Sequence, residues 1–73
     1  MSMIILKDID GDDLGIDPYR IELIEAYQPG NKELSQITIL LGRGSDSKII
    51  ERVVRHSVAE IVEAINKVEK FGY

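Results

Sequence analysis

Apolar residues alternate with polar ones through most of the chain up to Arg55, and the spacing then changes to a helical one. Met3-Ile4-Ile5-Leu6-Lys7 is short and rich in β-branched residues, which predicts a first strand over about residues 3–9. Asp10-Gly11-Asp12-Asp13 is a turn cluster, and its Asp-Gly pair is a strong hairpin signal. A return strand is expected over about 14–17. Asp17-Pro18 ends it, because proline fixes φ and pushes its predecessor out of the helical region.

Length and β-branching predict a third strand over about 20–27. Strict alternation sets Ile21, Leu23, Glu25 and Tyr27 on one face and Glu22, Ile24 and Ala26 on the other. At helical spacing, Ile21, Ile24 and Glu25 align instead. Pro29-Gly30-Asn31 marks a loop. Gln36 to Gly42 is the clearest strand, over about 36–42, with apolar residues on both sides. Gly42-Arg43-Gly44-Ser45-Asp46-Ser47 is a flexible connection to a strand over about 48–55.

Ser57-Val58-Ala59-Glu60 has the spacing of a capping box, in which serine and glutamate satisfy each other's free amides at a helix start. Val58, Ile61, Val62, Ile65 and Val68 recur at i, i+3, i+4 spacing and form one apolar stripe. The pattern predicts a helix over about 58–70, with Gly72 placed to stop it.

These elements predict an α+β fold in a single domain over residues 1–73. A small antiparallel sheet of four to five strands, flat or curled into a partial barrel, is packed by one C-terminal amphipathic helix. One helix covers one sheet face, yet both faces carry apolar residues. Either the sheet curls on itself or its second face meets another chain. Tyr27, Leu40, Ile50 and Val54, with Phe71 and Tyr73 near the chain end, are the candidate interface residues.

Composition strengthens the second option. A chain of 73 residues without cysteine has a thin core and no disulfide. Self-association is the expected source of extra burial. With one histidine and no thiolate, neither a metal site nor a cofactor is expected. No apolar run approaches the ~20 residues of a membrane span, and cytoplasmic localisation is expected.

The net charge is −4 and uneven. Residues 1–35 carry Asp8, Asp10, Asp12, Asp13, Asp17, Glu22, Glu25 and Glu33 against Lys7, Arg20 and Lys32. An acidic chain lacks the attraction to phosphate that dominates nucleic-acid binding, so that partner class is disfavoured.

Three segments offer candidate chemistry. Asp8 to Asp13 resembles a calcium loop in composition, but the glycine and glutamate positions such a loop requires fall on Asp13 and Tyr19. An acidic hairpin tip is the simpler reading. Glycine and serine amides between Gly42 and Lys48 are candidates for a small anion nest. Arg43, Ser45, Ser47, Lys48, Arg52 and Arg55 are therefore the candidate residues for an anionic ligand such as a nucleotide. His56 lies four residues before Glu60, the spacing of a base and its orienting carboxylate, but no nucleophile accompanies it and a structural role is expected. The combination of nucleophile, base and oxyanion donors is missing, so catalysis is not expected.

The runs Ile16-Asp17-Pro18-Tyr19-Arg20-Ile21-Glu22-Leu23-Ile24-Glu25, Ile37-Thr38-Ile39-Leu40-Leu41-Gly42 and Ser57-Val58-Ala59-Glu60-Ile61-Val62-Glu63-Ala64-Ile65 carry a family resemblance. In this order the chain resembles the FlbD family of small flagellar and swarming-motility proteins. The resemblance implies a cytosolic accessory role without catalytic residues. The leading expectation is a non-enzymatic protein–protein interaction or regulatory module, homo-oligomeric. The alternative is a small phage-type protein that sequesters a nucleotide-like ligand, or an acidic inhibitor of a host protein.

Overall fold

A computed structural model describes residues 3–42 and 44–70. Two strands open the chain, β1 (Ile4–Lys7) and β2 (Asp13–Ile16), joined as an antiparallel hairpin. A short 3-10 turn at Pro18–Arg20 leads to β3 (Ile21–Ala26), β4 (Ser35–Leu41) and β5 (Lys48–Val54), which form an antiparallel sheet in the order β3-β4-β5. A second 3-10 turn, Gly44–Asp46, lies between β4 and β5. Helix α1 (Val58–Lys70) closes the chain.

The five strands thus form two sheets, of two and three strands, and not the single sheet, flat or curled into a partial barrel, that the alternation suggested. Pro18 is the physical reason. Its fixed φ starts a 3-10 turn instead of a hairpin, and the Asp17 carboxylate accepts the Tyr19 amide at 3.0 Å to hold that turn. β3 therefore leaves β2 and begins a new sheet. Among the described residues, one isolated backbone bridge, Asp8 to Val54, pairs the two sheets at the ends of β1 and β5.

The hairpin and α1 both pack on the inner face of the three-stranded sheet. Ile4, Leu6 and Ile16 from the hairpin, Ile37, Ile39 and Val54 from the sheet and Ile61 from the helix form the buried core. Leu14, Ile21, Ile24, Ile50, Ala64, Ile65 and Val68 pack around it. Burying such aliphatic side chains contributes about 1.5–3 kcal/mol each relative to exposure.

β3 departs from strict alternation. Its register against β4 shifts between Ile21 and Leu23, so Ile21 pairs with Ile39 and Leu23 with Thr38. Such a bulge adds one residue to one strand and resets which face follows. Ile21 and Ile24 consequently both join the core, and Leu23 turns outward at 50% exposure. The expectation that Ile21 and Leu23 share a face is corrected.

The capping box forms as expected. The Ser57 amide donates to Glu60 Oε1 at 2.9 Å, and the Glu60 amide donates to Ser57 Oγ at 3.1 Å. The first helical bond follows, from the Ile61 amide to the Ser57 carbonyl at 3.2 Å. Among the described residues, no helix is long and apolar enough to cross a membrane.

Candidate interaction surface

The register of the three-stranded sheet defines its outer face. Leu40 pairs with Ile49, Thr38 with Glu51, and Gln36 with Val53. On the other side of β4, Leu23 meets Thr38 and Glu25 meets Gln36. Since side chains alternate across a strand, these residues share the face turned away from the hairpin and helix. Leu23, Leu40, Ile49 and Val53 are its apolar members. Ile49 is 68% exposed, far more than any core residue of the same sheet. Gln36 donates its amide to Glu51 and fixes a polar margin beside them.

Of the expected interface residues, Leu40 lies on this face and is half-buried. Tyr27 is exposed just beyond β3, where its amide donates to the Leu34 carbonyl at 3.1 Å. Ile50 and Val54 point the other way: Val54 is fully buried and Ile50 packs against the core. Their assignment to the interface is corrected. β5 carries two apolar residues of each parity, so alternation alone gave no basis for choosing Ile49 and Val53 over Ile50 and Val54. Phe71 and Tyr73 lie outside the described residues.

The expected anion-binding residues do not converge. Arg55 donates through Nε and Nη2 to the Ile9 carbonyl at 2.9 and 2.6 Å, which ties it to the hairpin tip. Arg52 shares the inner parity of Ile50 and Val54, and its Nη2 lies 3.8 Å from Asp8 Oδ2. The Ser47 hydroxyl donates to the Gly44 carbonyl at 2.9 Å, inside its own turn. Ser45 and Lys48 are exposed, and Arg43 lies outside the described residues. Lys48 and Arg52 are roughly 14 Å apart along β5, at about 3.4 Å per residue.

The acidic tip has a structural use. Asp8 Oδ1 accepts the Asp10 amide at 2.9 Å and the Asp12 amide at 3.0 Å, so one carboxylate satisfies two turn donors. Lys7 and Asp13 form an ion pair across the hairpin. Among the described residues, no group of three or more metal-ligating side chains assembles.

His56 sits between β5 and α1. Its Nε2 accepts the Lys7 amide at 2.9 Å, while Nδ1 lies 3.9 Å from Glu60 Oε2. The ring therefore bridges the hairpin and the start of the helix. Hydrogen bonds with Ser57, first to its backbone and then to its side chain, hold the Glu60 carboxyl below its ordinary value, with a smaller contribution from His56.

Sequence reasoning missed one charged residue near the core. Arg20 lies at the end of the first 3-10 turn, with Nε 3.9 Å from Asp17 Oδ2 and Nη1 donating to the Gly42 carbonyl at 3.4 Å. Nothing in the local pattern distinguishes it from a solvated strand residue. No family model, curated protein or solved structure matches the chain.

Proposed function

We propose that the protein is a non-enzymatic interaction module that self-associates through the outer face of its three-stranded sheet. The observation that carries this reading is the exposure of Leu23 and Ile49 on a face that Leu40 and Val53 extend. An antiparallel sheet with one solvated face ordinarily presents polar residues there. Here four aliphatic side chains interrupt the polar set, as in surfaces that meet a partner.

A second copy of the chain is the occupant this face fits. A two-fold axis parallel to β4 would set β3 of one copy over β5 of the other. Leu40 would then face its own counterpart, and the Leu23 side would lie over the Ile49 side. Sheets packed in this way interdigitate at about 10 Å separation. Self-association also fits a chain that has no disulfide to support a small core.

Multi-angle light scattering across a concentration series tests this reading. A dimer is expected, with Ile49→Lys shifting the mass to that of a monomer while the fold is kept. A strict monomer at high micromolar concentration would overturn it, as would a dimer indifferent to Ile49→Lys and Leu23→Lys together.

A further inference from the structure

The three-stranded sheet ends at β3, which pairs with β4 alone, whereas β5 meets the hairpin at the Asp8–Val54 bridge. The Tyr27 amide donates to the Leu34 carbonyl, which makes those residues a hydrogen-bonded pair of the ladder. Bonded and non-bonded pairs alternate between antiparallel strands, so Glu25 and Leu23 also turn their backbone groups toward β4. Ile24 and Ala26 turn their amides and carbonyls the other way. Among the described residues, no strand lies on that side.

Helix α1 overhangs this edge. Ile61 is fully buried, yet its neighbour Val62 is 42% exposed. A groove of about 360 Å³ runs between helix and strand, with Val58, Val62 and Ile65 on one wall and Ile21, Glu22 and Ile24 on the other. The apolar stripe of the helix is thus wider than the sheet that supports it here. One more strand beside β3 would pair the outward groups of Ile24 and Ala26. Its alternate side chains would fill the groove against Val62.

Charge selects the strand. Glu22 and Glu25 are the charged residues of β3, both are exposed, and neither forms an ion pair among the described residues. Glu22 is the one charged residue in the groove lining. A second copy's β3 would bring the same two glutamates, and like charges on neighbouring strands are destabilising. The edge therefore rejects its own copy and favours a basic strand.

We infer that β3 accepts an extended basic segment of another protein as an added strand. Alternate apolar side chains of that segment fill the groove at Val58 and Val62, and its lysines or arginines lie near Glu22 and Glu25. In strand addition of this kind, main-chain hydrogen bonds supply affinity and the side-chain positions supply specificity. Self-association through the outer face uses side chains of that face and leaves the backbone groups of Ile24 and Ala26 open, so the two contacts are independent.

The probe is the end-blocked peptide Lys-Val-Lys-Val-Lys-Val, followed by amide hydrogen exchange. Saturating peptide should slow exchange at Ile24 and Ala26 by about tenfold, as when roughly nine-tenths of the protein is bound. The Glu25 amide, which faces β4, should be unchanged. The peptide Glu-Val-Glu-Val-Glu-Val should protect neither edge amide. Glu22→Lys combined with Glu25→Lys should weaken the basic peptide about tenfold, the scale of two exposed ion pairs. The inference is overturned if millimolar basic peptide leaves Ile24 and Ala26 unslowed, or if the lysine variant binds it as tightly as the wild type. Protection of both amides in concentrated protein without peptide would make a second copy the occupant and overturn it equally. Should the lysine variant fail to fold, equal protection of the wild type by the two peptides would overturn it alone.

Discussion

The Lys7 amide donates to His56 Nε2 at 2.9 Å across 49 positions of sequence, and the Arg55 amide donates back to the Lys7 carbonyl at 2.8 Å. Both backbone polar groups of Lys7 are thus satisfied by one dipeptide. The same dipeptide holds β4, since the Ser35 hydroxyl donates to the His56 carbonyl at 2.7 Å and Ser35 is fully buried. The hydrogen-bonded junction of the two sheets is therefore built on Arg55 and His56, beside the Arg52–Asp8 ion pair and the packing of Ile4, Leu6 and Ile16.

His56→Ala should lower stability by about 1 kcal/mol, the net worth of one such hydrogen bond. Hydrogen exchange at the Lys7 amide should accelerate more than at Ile37, which lies in the centre of the sheet. Unchanged exchange at Lys7 in the alanine variant would show that the contact is not a latch.

The helix start gives a pH-dependent prediction. The Glu60 carboxyl is held below its ordinary value by Ser57, so its ionised form is favoured by the folded state. The stabilisation is present above the unfolded-state value and is lost as pH falls through the lower folded-state value. Melting temperatures should decline across that acidic window, and Glu60→Gln should flatten the decline. Ser57→Ala should cost about 0.5–2 kcal/mol at neutral pH through loss of the cap itself. Equal acid dependence in wild type and Glu60→Gln would rule out this origin.

Gly42 supplies a backbone test. Its φ is +83°, and an added Cβ would lie 2.7 Å from the Asp46 carbonyl oxygen and 3.2 Å from the Ser47 Cα. Both neighbours are backbone and belong to the same tight connection. Gly42→Ala should destabilise by about 1–3 kcal/mol from the left-handed conformation alone. Gly15→Ala is the control, since nothing lies within 4 Å of its added Cβ and φ is ordinary. Denaturant midpoints for the two variants should separate clearly; coincident midpoints would show that the connection re-forms freely.

These details mark where the sequence was legible. The helix could be read from Ser57 and Glu60 because a capping box and an apolar stripe are both local. The five strands could be read because loops and turn residues separate them. The sheet faces were less legible. Ile49, Ile50, Val53 and Val54 place apolar residues on both parities, and only the contacts of distant Ile4 and Ile61 decide which pair is buried. The division into two sheets depends on how Pro18 redirects the chain, which alternation does not encode. Arg20 gained its place beside the Gly42 carbonyl from that same redirection. The scattering of the basic candidates has a similar cause: the carbonyl that Arg55 grips belongs to Ile9, far away in sequence.

The β3 bulge yields the sharpest contrast between strict alternation and the fold. Alternation puts Ile24 opposite Ile21 and Leu23, but the extra residue brings Ile24 inward beside Ile21, against Ile37. Leu23 projects from the other face at 50% exposure. Ile24→Ala should therefore cost about 2 kcal/mol or more, as truncation of packed aliphatic side chains does. Leu23→Ala should change monomer stability by no more than about 0.5 kcal/mol, as an exposed position does. Its effect belongs to association, so its stability loss should grow with protein concentration if a second copy covers it. Urea unfolding at two concentrations separates these cases. Greater destabilisation by Leu23→Ala than by Ile24→Ala in dilute protein would mean that β3 keeps strict alternation, and that the outer face is built from different residues.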